Sequence, residues 1–169
     1  MKKTLLLVLL VCTLFGYSQT QVRRDTIADS SFRAFLPQWE KAQSGFINGD
    51  PTLWKQNASH RDDATILGAF GGHEKGWNEV SARNDWASSQ FKDSGATQKI
   101  EYLNTAVSGA LAFTVTIERQ QQVRMGDQEK PAPRALRVTQ IFRKEDGAWK
   151  LLHRHADPLV ERLRPEARR

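Results

Sequence analysis

The chain has 169 residues, 39% of them hydrophobic and 26% charged, with 25 Lys+Arg against 19 Asp+Glu for a formal net charge of +6. That length sets one domain as the expectation, and that composition supports a packed core and excludes a wholly disordered chain. Its one cysteine excludes a disulfide framework, and no apolar run is long enough to span a membrane as a helix.

The first element in chain order is a leader. Met1-Lys2-Lys3 is followed by an apolar run from Leu5 to Val11 and small residues at Gly16 and Ser18. A basic start, a short apolar stretch and small residues near a cut read as a secretory signal peptide over residues 1–18. An exported protein, periplasmic or secreted, is the expectation. Cleavage after Ser18 would remove Lys2, Lys3 and Cys12, leaving 151 residues, a net charge of +4 and no thiol. A cysteine nucleophile and Cys-ligated zinc would then be excluded. A lipoprotein reading of Cys12 is weakened by the bulky Val11 before it.

Residues 19–28 read as a flexible lead, residues 29–158 as the domain and residues 159–169 as a basic tail. Phe32, Phe35, Leu36, Trp39, Ala42 and Phe46 recur at helical spacing, with Ser30 or Ser31 to cap. Pro37 either kinks this helix or opens its main part. Asp50-Pro51 begins a second helix, with Leu53 and Trp54 facing inward. Residues 63–70 read as a strand, broken by Gly71-Gly72. A third helix follows, with Trp77, Val80, Asn84, Ala87 and Phe91 on one stripe. Residues 98–107 and 110–125 read as strands joined at Ser108-Gly109. Residues 134–143 and 148–157 read as a hairpin around Glu145-Asp146-Gly147. Helices first and antiparallel strands after indicate an α+β fold, with about three helices on one face of a curved sheet.

Alternation places Trp149, Leu151, His153, His155 and Asp157 on one face of the last strand. The register depends on the turn. A three-residue loop with Gly147 left-handed, the preferred alternative, sets Thr139 opposite His153 and Arg137 opposite His155. A two-residue loop at Asp146-Gly147 sets Gln140 and Val138 there instead. On the preferred register Arg137, Thr139, His153 and His155 form a polar cluster assigned to a pocket. Ala112, Thr114, Thr116 and Glu118 share a face of the central strand, so Glu118 is the carboxylate expected to reach that cluster. A carboxylate beside an imidazole makes an acid–base pair suited to proton transfer near neutral pH, which nominates His155, His153 and Glu118 as catalytic. His60 and Asp63 could add polar groups at the entrance, and Trp54 and Trp77 aromatic walls. Each has a structural counterpart: satisfied hydrogen bonds for the histidines, an ion pair for Glu118 with Arg137, and core packing for the tryptophans. His-x-His is also a metal-ligand spacing, kept as a minor alternative because two ligands do not make a site. The basic tail carries no nucleic-acid motif and reads as solvated surface.

The segments Phe35–Asp50, Ser59-His60-Arg61-Asp62-Asp63-Ala64-Thr65 leading into Gly68-Ala69-Phe70-Gly71-Gly72, Leu111–Arg119, and Leu136–Arg143 with Asp146-Gly147-Ala148-Trp149 and His153-Arg154-His155-Ala156-Asp157 resemble the SnoaL-like branch of the nuclear transport factor 2-like superfamily. That superfamily also holds ketosteroid isomerase and scytalone dehydratase. The resemblance covers about residues 30–158. It implies a conical fold with a pocket between helices and concave sheet, a small-molecule ligand, no cofactor and a homodimer. It does not choose between a proton-transfer enzyme and a non-catalytic binding module. The sequence itself offers one weak dimer clue, an apolar face of Leu136, Val138, Phe142 and Leu152.

Overall fold

The computed structural model describes residues 30–161, so the leader, the lead segment and most of the basic tail lie outside the described residues. Three helices, α1 (Ser30–Phe46), α2 (Thr52–Asn57) and α3 (Trp77–Ser89), pack against one curled sheet. The strands are β1 (Thr65–Leu67), β2 (Glu74–Lys75), β3 (Phe91–Lys92), β4 (Thr97–Ser108), β5 (Leu111–Met125), β6 (Ala132–Glu145) and β7 (Ala148–Pro158). Their order is β2-β1-β7-β6-β5, with β3 and β4 both paired to β5. All pairings are antiparallel except β1 with β7. The fold is α+β with a strongly curled, mostly antiparallel half-barrel.

Helix α1 is a single helix that contains Pro37. Its stripe of Phe32, Phe35, Trp39 and Ala42 is buried. Phe142 fits between these rings, 5.2 Å from Phe32 and 5.7 Å from Trp39, and Trp149 sits 5.0 Å from Phe32. These aromatic contacts form the main core and fix α1 across the hairpin. Asp50 Oδ1 accepts from the Thr52 backbone N–H and tightens the entry to α2. Two expectations were displaced here. The 63–70 strand shortens to Thr65–Leu67, and Phe91 leaves the α3 stripe to start β3, while the two-residue β2 carried no readable pattern in the sequence. The apolar face offered as a dimer clue is interior: Leu136, Val138 and Phe142 are buried.

The hairpin departs most from the reading. Glu145 pairs with Ala148, so the loop is the two-residue Asp146-Gly147, with φ of +49° and +84°. That is the backbone of a type I′ turn, whose twist suits paired strands. The pairing then slips. Phe142 opposes Leu151, but Ile141 opposes His153, leaving Leu152 as an extra residue in a β-bulge. Beyond it Thr139 opposes His155 and Arg137 opposes Asp157, matching neither register considered. A one-residue insertion exchanges the faces of everything downstream, because the side-chain period is two. The inner face of β7 is therefore Trp149 and Leu151, then Arg154 and Ala156.

A polar knot anchors β1 beside the hairpin. Arg143 donates to both Asp63 oxygens at 2.6 and 2.9 Å and to Glu145 Oε1 at 2.9 Å, while Ser59 Oγ donates to the same Glu145 oxygen at 2.7 Å. The Arg143 hydrogen bonds hold Asp63 below its ordinary value. Burial raises the Glu145 carboxyl, but hydrogen bonds from Ser59 and Arg143 and the charges of Arg143 and Arg61 outweigh it, so its net shift is also downward. A carboxylate depressed in the folded state stabilises above its unfolded pKa and loses that contribution as pH falls. Thermal melts should therefore drop as pH falls below about 4.5, the ordinary Glu range, and Arg143→Met should melt lower at pH 7 with a flatter acid limb. An unchanged slope would contradict this role for the knot.

Candidate functional site

The concave face of the sheet is unusually polar. Cross-strand rows run Thr114–Gln140–Arg154, Thr116–Val138–Ala156, Glu118–Leu136–Pro158 and Gln98–Gln120–Arg134. Thr114, Thr116, Glu118, Gln120 and Gln140 are all buried, as the alternation along β5 predicted for the first three. Polar groups buried at this density need partners. Thr114 Oγ1 and Trp39 Nε1 donate to Gln140 Oε1 at 3.1 and 3.3 Å, and Gln120 Nε2 donates to Gln98 Oε1 at 2.8 Å.

Glu118 is fully buried and meets Arg154 in a two-point pair, at 2.9 Å from Nη1 to Oε1 and 2.7 Å from Nη2 to Oε2. Arg154 Nη1 also reaches Gln43 Oε1 on α1 at 3.3 Å. The planar fork of a guanidinium matches a carboxylate in this geometry, and the pairing offsets much of the cost of burying each charge.

This pair forms one wall of a cavity of about 70 Å³ between α1, α3, the sheet and the Gly68–Phe70 segment. That is room for roughly five waters at 10–15 Å³ each. Phe46, Phe70, Phe91, Trp54 and Ile66 make its apolar side. Glu118 is the only carboxylate lining it among the described residues, against three guanidinium groups, Arg83, Arg134 and Arg154. Arg83 has Glu74 at 3.5 Å and donates to Gly71 O at 2.7 Å. Arg134 is different. Among the described residues its guanidinium makes one hydrogen bond, to Met125 Sδ at 3.8 Å, and meets no carboxylate. Its guanidinium lies 4.9 Å from the Phe70 ring centroid and 5.8 Å from that of Phe91. Burial lowers its pKa, and the charge of Arg154 adds to this against the pull of Glu118; the group stays protonated at any physiological pH. The cavity thus holds one positive charge in excess. Gln43, Gln98 and Gln120 also line it, and among the described residues Gln43 Nε2, Gln98 Nε2 and Gln120 Oε1 are buried without a hydrogen-bond partner.

Of the residues nominated from sequence, Glu118 and Trp54 line this cavity and the others do not. His153 and His155 lie on the opposite face of β7, because Leu152 shifts the alternation. His153 Nδ1 bonds Thr65 Oγ1 at 2.8 Å, and burial and the nearby His155 lower its pKa. His155 is 47% exposed in its side chain, 3.3 Å from Asp157, which also faces Arg137 at 3.6 Å. Thr139 is exposed on the same outer face. Glu118 therefore pairs with Arg154 rather than Arg137. His60 stacks on Trp77 at 3.7 Å between centroids and its Nε2 contacts Lys55 O at 2.9 Å, on the outside of the helical layer. Asp63 belongs to the Arg143 knot. No group of three His, Cys, Asp or Glu that could hold a metal occurs among the described residues.

The sequence reading missed Arg154 by one residue of register and missed Arg134, Gln43, Gln98 and Gln120 altogether. One signal was available: the polar alternation Thr114, Thr116, Glu118 continues to Gln120, where a strand facing an apolar core would carry apolar residues.

Residues 33–161 match the SnoaL-like domain. Among solved structures the chain is similar to a nuclear transport factor 2-like superfamily protein from Salmonella enterica, at 18% identity and a TM-score of 0.65, covering 80% of this chain and 94% of that one. It is similar to a protein of the same family from Streptomyces avermitilis provisionally named a dehydratase, at 14% identity and a TM-score of 0.63, covering 77% and 94%. It is also similar to a protein from Shewanella frigidimarina provisionally named a ketosteroid isomerase, at 19% identity and a TM-score of 0.57, covering 76% and 96%. No curated protein matches the chain. No helix of the described residues is long and apolar enough to cross a membrane. With its polar-walled half-barrel built on the fold of nuclear transport factor 2-like proteins and a family match spanning most of its length, the chain belongs to the SnoaL-like domain family.

Proposed function

We propose that this domain binds a compact organic anion with an apolar body in the cavity between its helices and concave sheet. The observation that carries this is Arg134, a charged guanidinium that lines an apolar-sided cavity and, among the described residues, meets no carboxylate. A desolvated cation of this kind is best satisfied by a ligand carboxylate. The aromatic side chains of the lining offer faces to an apolar body. Phenylacetate is a suitable probe. It should raise the melting temperature in a concentration-dependent way, and Arg134→Gln should weaken its affinity by roughly 10–100-fold, the worth of a hydrogen bond to a charged group. Equal affinity in the variant would overturn the reading.

A proton-transfer role is the second reading, favoured by one observation: Glu118 lines the cavity and, among the described residues, is its only carboxylate. The dehydratase and isomerase names of two structural neighbours support it. In this reading Glu118, with both oxygens on Arg154, moves the proton, and the histidines on the outer face take no part. Glu118→Gln would abolish any turnover. It should also destabilise the domain by about 3–5 kcal/mol in urea unfolding, because it leaves Arg154 buried and unpaired. A loss under 1 kcal/mol would contradict the pair's structural weight.

Export rests on the character of residues 1–18, and a homodimer on family resemblance. Both belong to this proposal. N-terminal sequencing of protein recovered from outside the cytoplasm should begin at Gln19, and light scattering should give twice the chain mass. An intact Met1 or a monomer at high concentration would contradict the respective part.

A further inference from the structure

The cavity's polar end has a finer pattern than a single cation. Gln98, Gln120 and Arg134 form one cross-strand row, on three adjacent strands β4, β5 and β6. Side chains directly opposite in such a row have Cβ atoms about 5 Å apart, so Gln120 and Arg134 leave the sheet side by side. The two amides use one donor and one acceptor on each other, Gln120 Nε2 to Gln98 Oε1. Gln98 Nε2 and Gln120 Oε1 are then left buried with no partner, and both residues line the cavity. Turning both amides over exchanges the atoms but not the count: one N–H and one carbonyl still remain. Orphaned polar atoms at this depth are costly, so the pattern is a statement about what the site holds.

A ligand hydroxyl satisfies both at once, because it donates one hydrogen and accepts on its oxygen. Neither a methylene nor a second carboxylate does so. Since the amide pair flanks Arg134 in the same row, the hydroxyl must lie close to the carboxylate that Arg134 holds. We infer that the ligand is a 2-hydroxy carboxylic acid with an apolar body, its carboxylate on Arg134 and its 2-hydroxyl on the Gln98–Gln120 pair. This rests on the anion-binding reading above and sharpens it to a class. The hydroxyl donates to the free amide carbonyl and accepts from the free amide N–H. With carboxylate, hydroxyl and apolar body each held at its own place, the site also distinguishes the two hands of the acid. Gln98 and Gln120 act as specificity-determining residues, while Arg134 supplies affinity for the shared carboxylate.

Isothermal titration of the full chain with phenylacetate and with each enantiomer of mandelate tests this. These acids share ring and carboxylate and differ at the 2-hydroxyl. One mandelate enantiomer should bind at least ten-fold tighter than phenylacetate and than its mirror image. In Gln98→Leu/Gln120→Leu the three affinities should converge near that of phenylacetate, with the Arg134 dependence retained. The comparison within the unaltered protein stands by itself should the double variant fail to fold. Equal binding of all three acids to the unaltered protein, with Arg134 still required, would overturn the hydroxy-acid assignment and leave the anion pocket standing. No binding of any of them would overturn both.

Discussion

A carboxylate taken fully out of water must be met by a cation in good geometry, or it will not stay charged there. Glu118 is such a carboxylate, placed on the inner face of β5 by the alternation that buries Ala112, Thr114 and Thr116 beside it. The cation is Arg154, which a regular hairpin would point outward. The extra residue Leu152 turns it in. The bulge and the ion pair thus depend on one another. Without the bulge the inner face of β7 would present His153 and His155 in place of Arg154, and without Glu118 the inward Arg154 would be a buried, uncompensated charge. Gln43 ties this pair to α1, and the helical layer is in turn fixed by Phe32, Trp39 and Phe142.

Pairing those two charges leaves the rest of the polar wall free to meet a ligand. Among the described residues, Arg134 at the neighbouring row has aromatic faces around it and no acid, and the glutamines beside it keep unspent hydrogen-bonding groups. Stability and recognition are therefore divided along the sheet: the Glu118–Arg154 pair is closed on itself, while the row one step away is open. On the proposed reading, such a site would bind by complementing charge and hydroxyl groups, with the phenylalanines supplying contact area.

The general fold was legible because it is written in periodicity that the tertiary structure respects. The α1 stripe, the β5 alternation and the order of helices before strands each appear as read. The site was less legible because it hangs on a single insertion. Leu151-Leu152 carries no local mark of a bulge, and only the pairing with Phe142 and Ile141 reveals which residue is extra. The Asp146-Gly147 turn adds to this, since its dipeptide fits either loop length considered. A slip of one residue sent His153 and His155 outward and brought Arg154 in, so the residues with the most suggestive chemistry lay on the wrong face. Arg134 and the glutamines were overlooked for another reason: each is unremarkable alone, and they acquire meaning only as a cross-strand row.

The most direct test is a crystal structure of the protein grown with phenylacetate. The account predicts the carboxylate within hydrogen-bond distance of the Arg134 guanidinium, the ring against Phe70 and Phe91, and the Glu118–Arg154 pair intact beside a bulged Leu152. An unbulged β7 with His155 facing the cavity, or the acid bound away from Arg134, would contradict it.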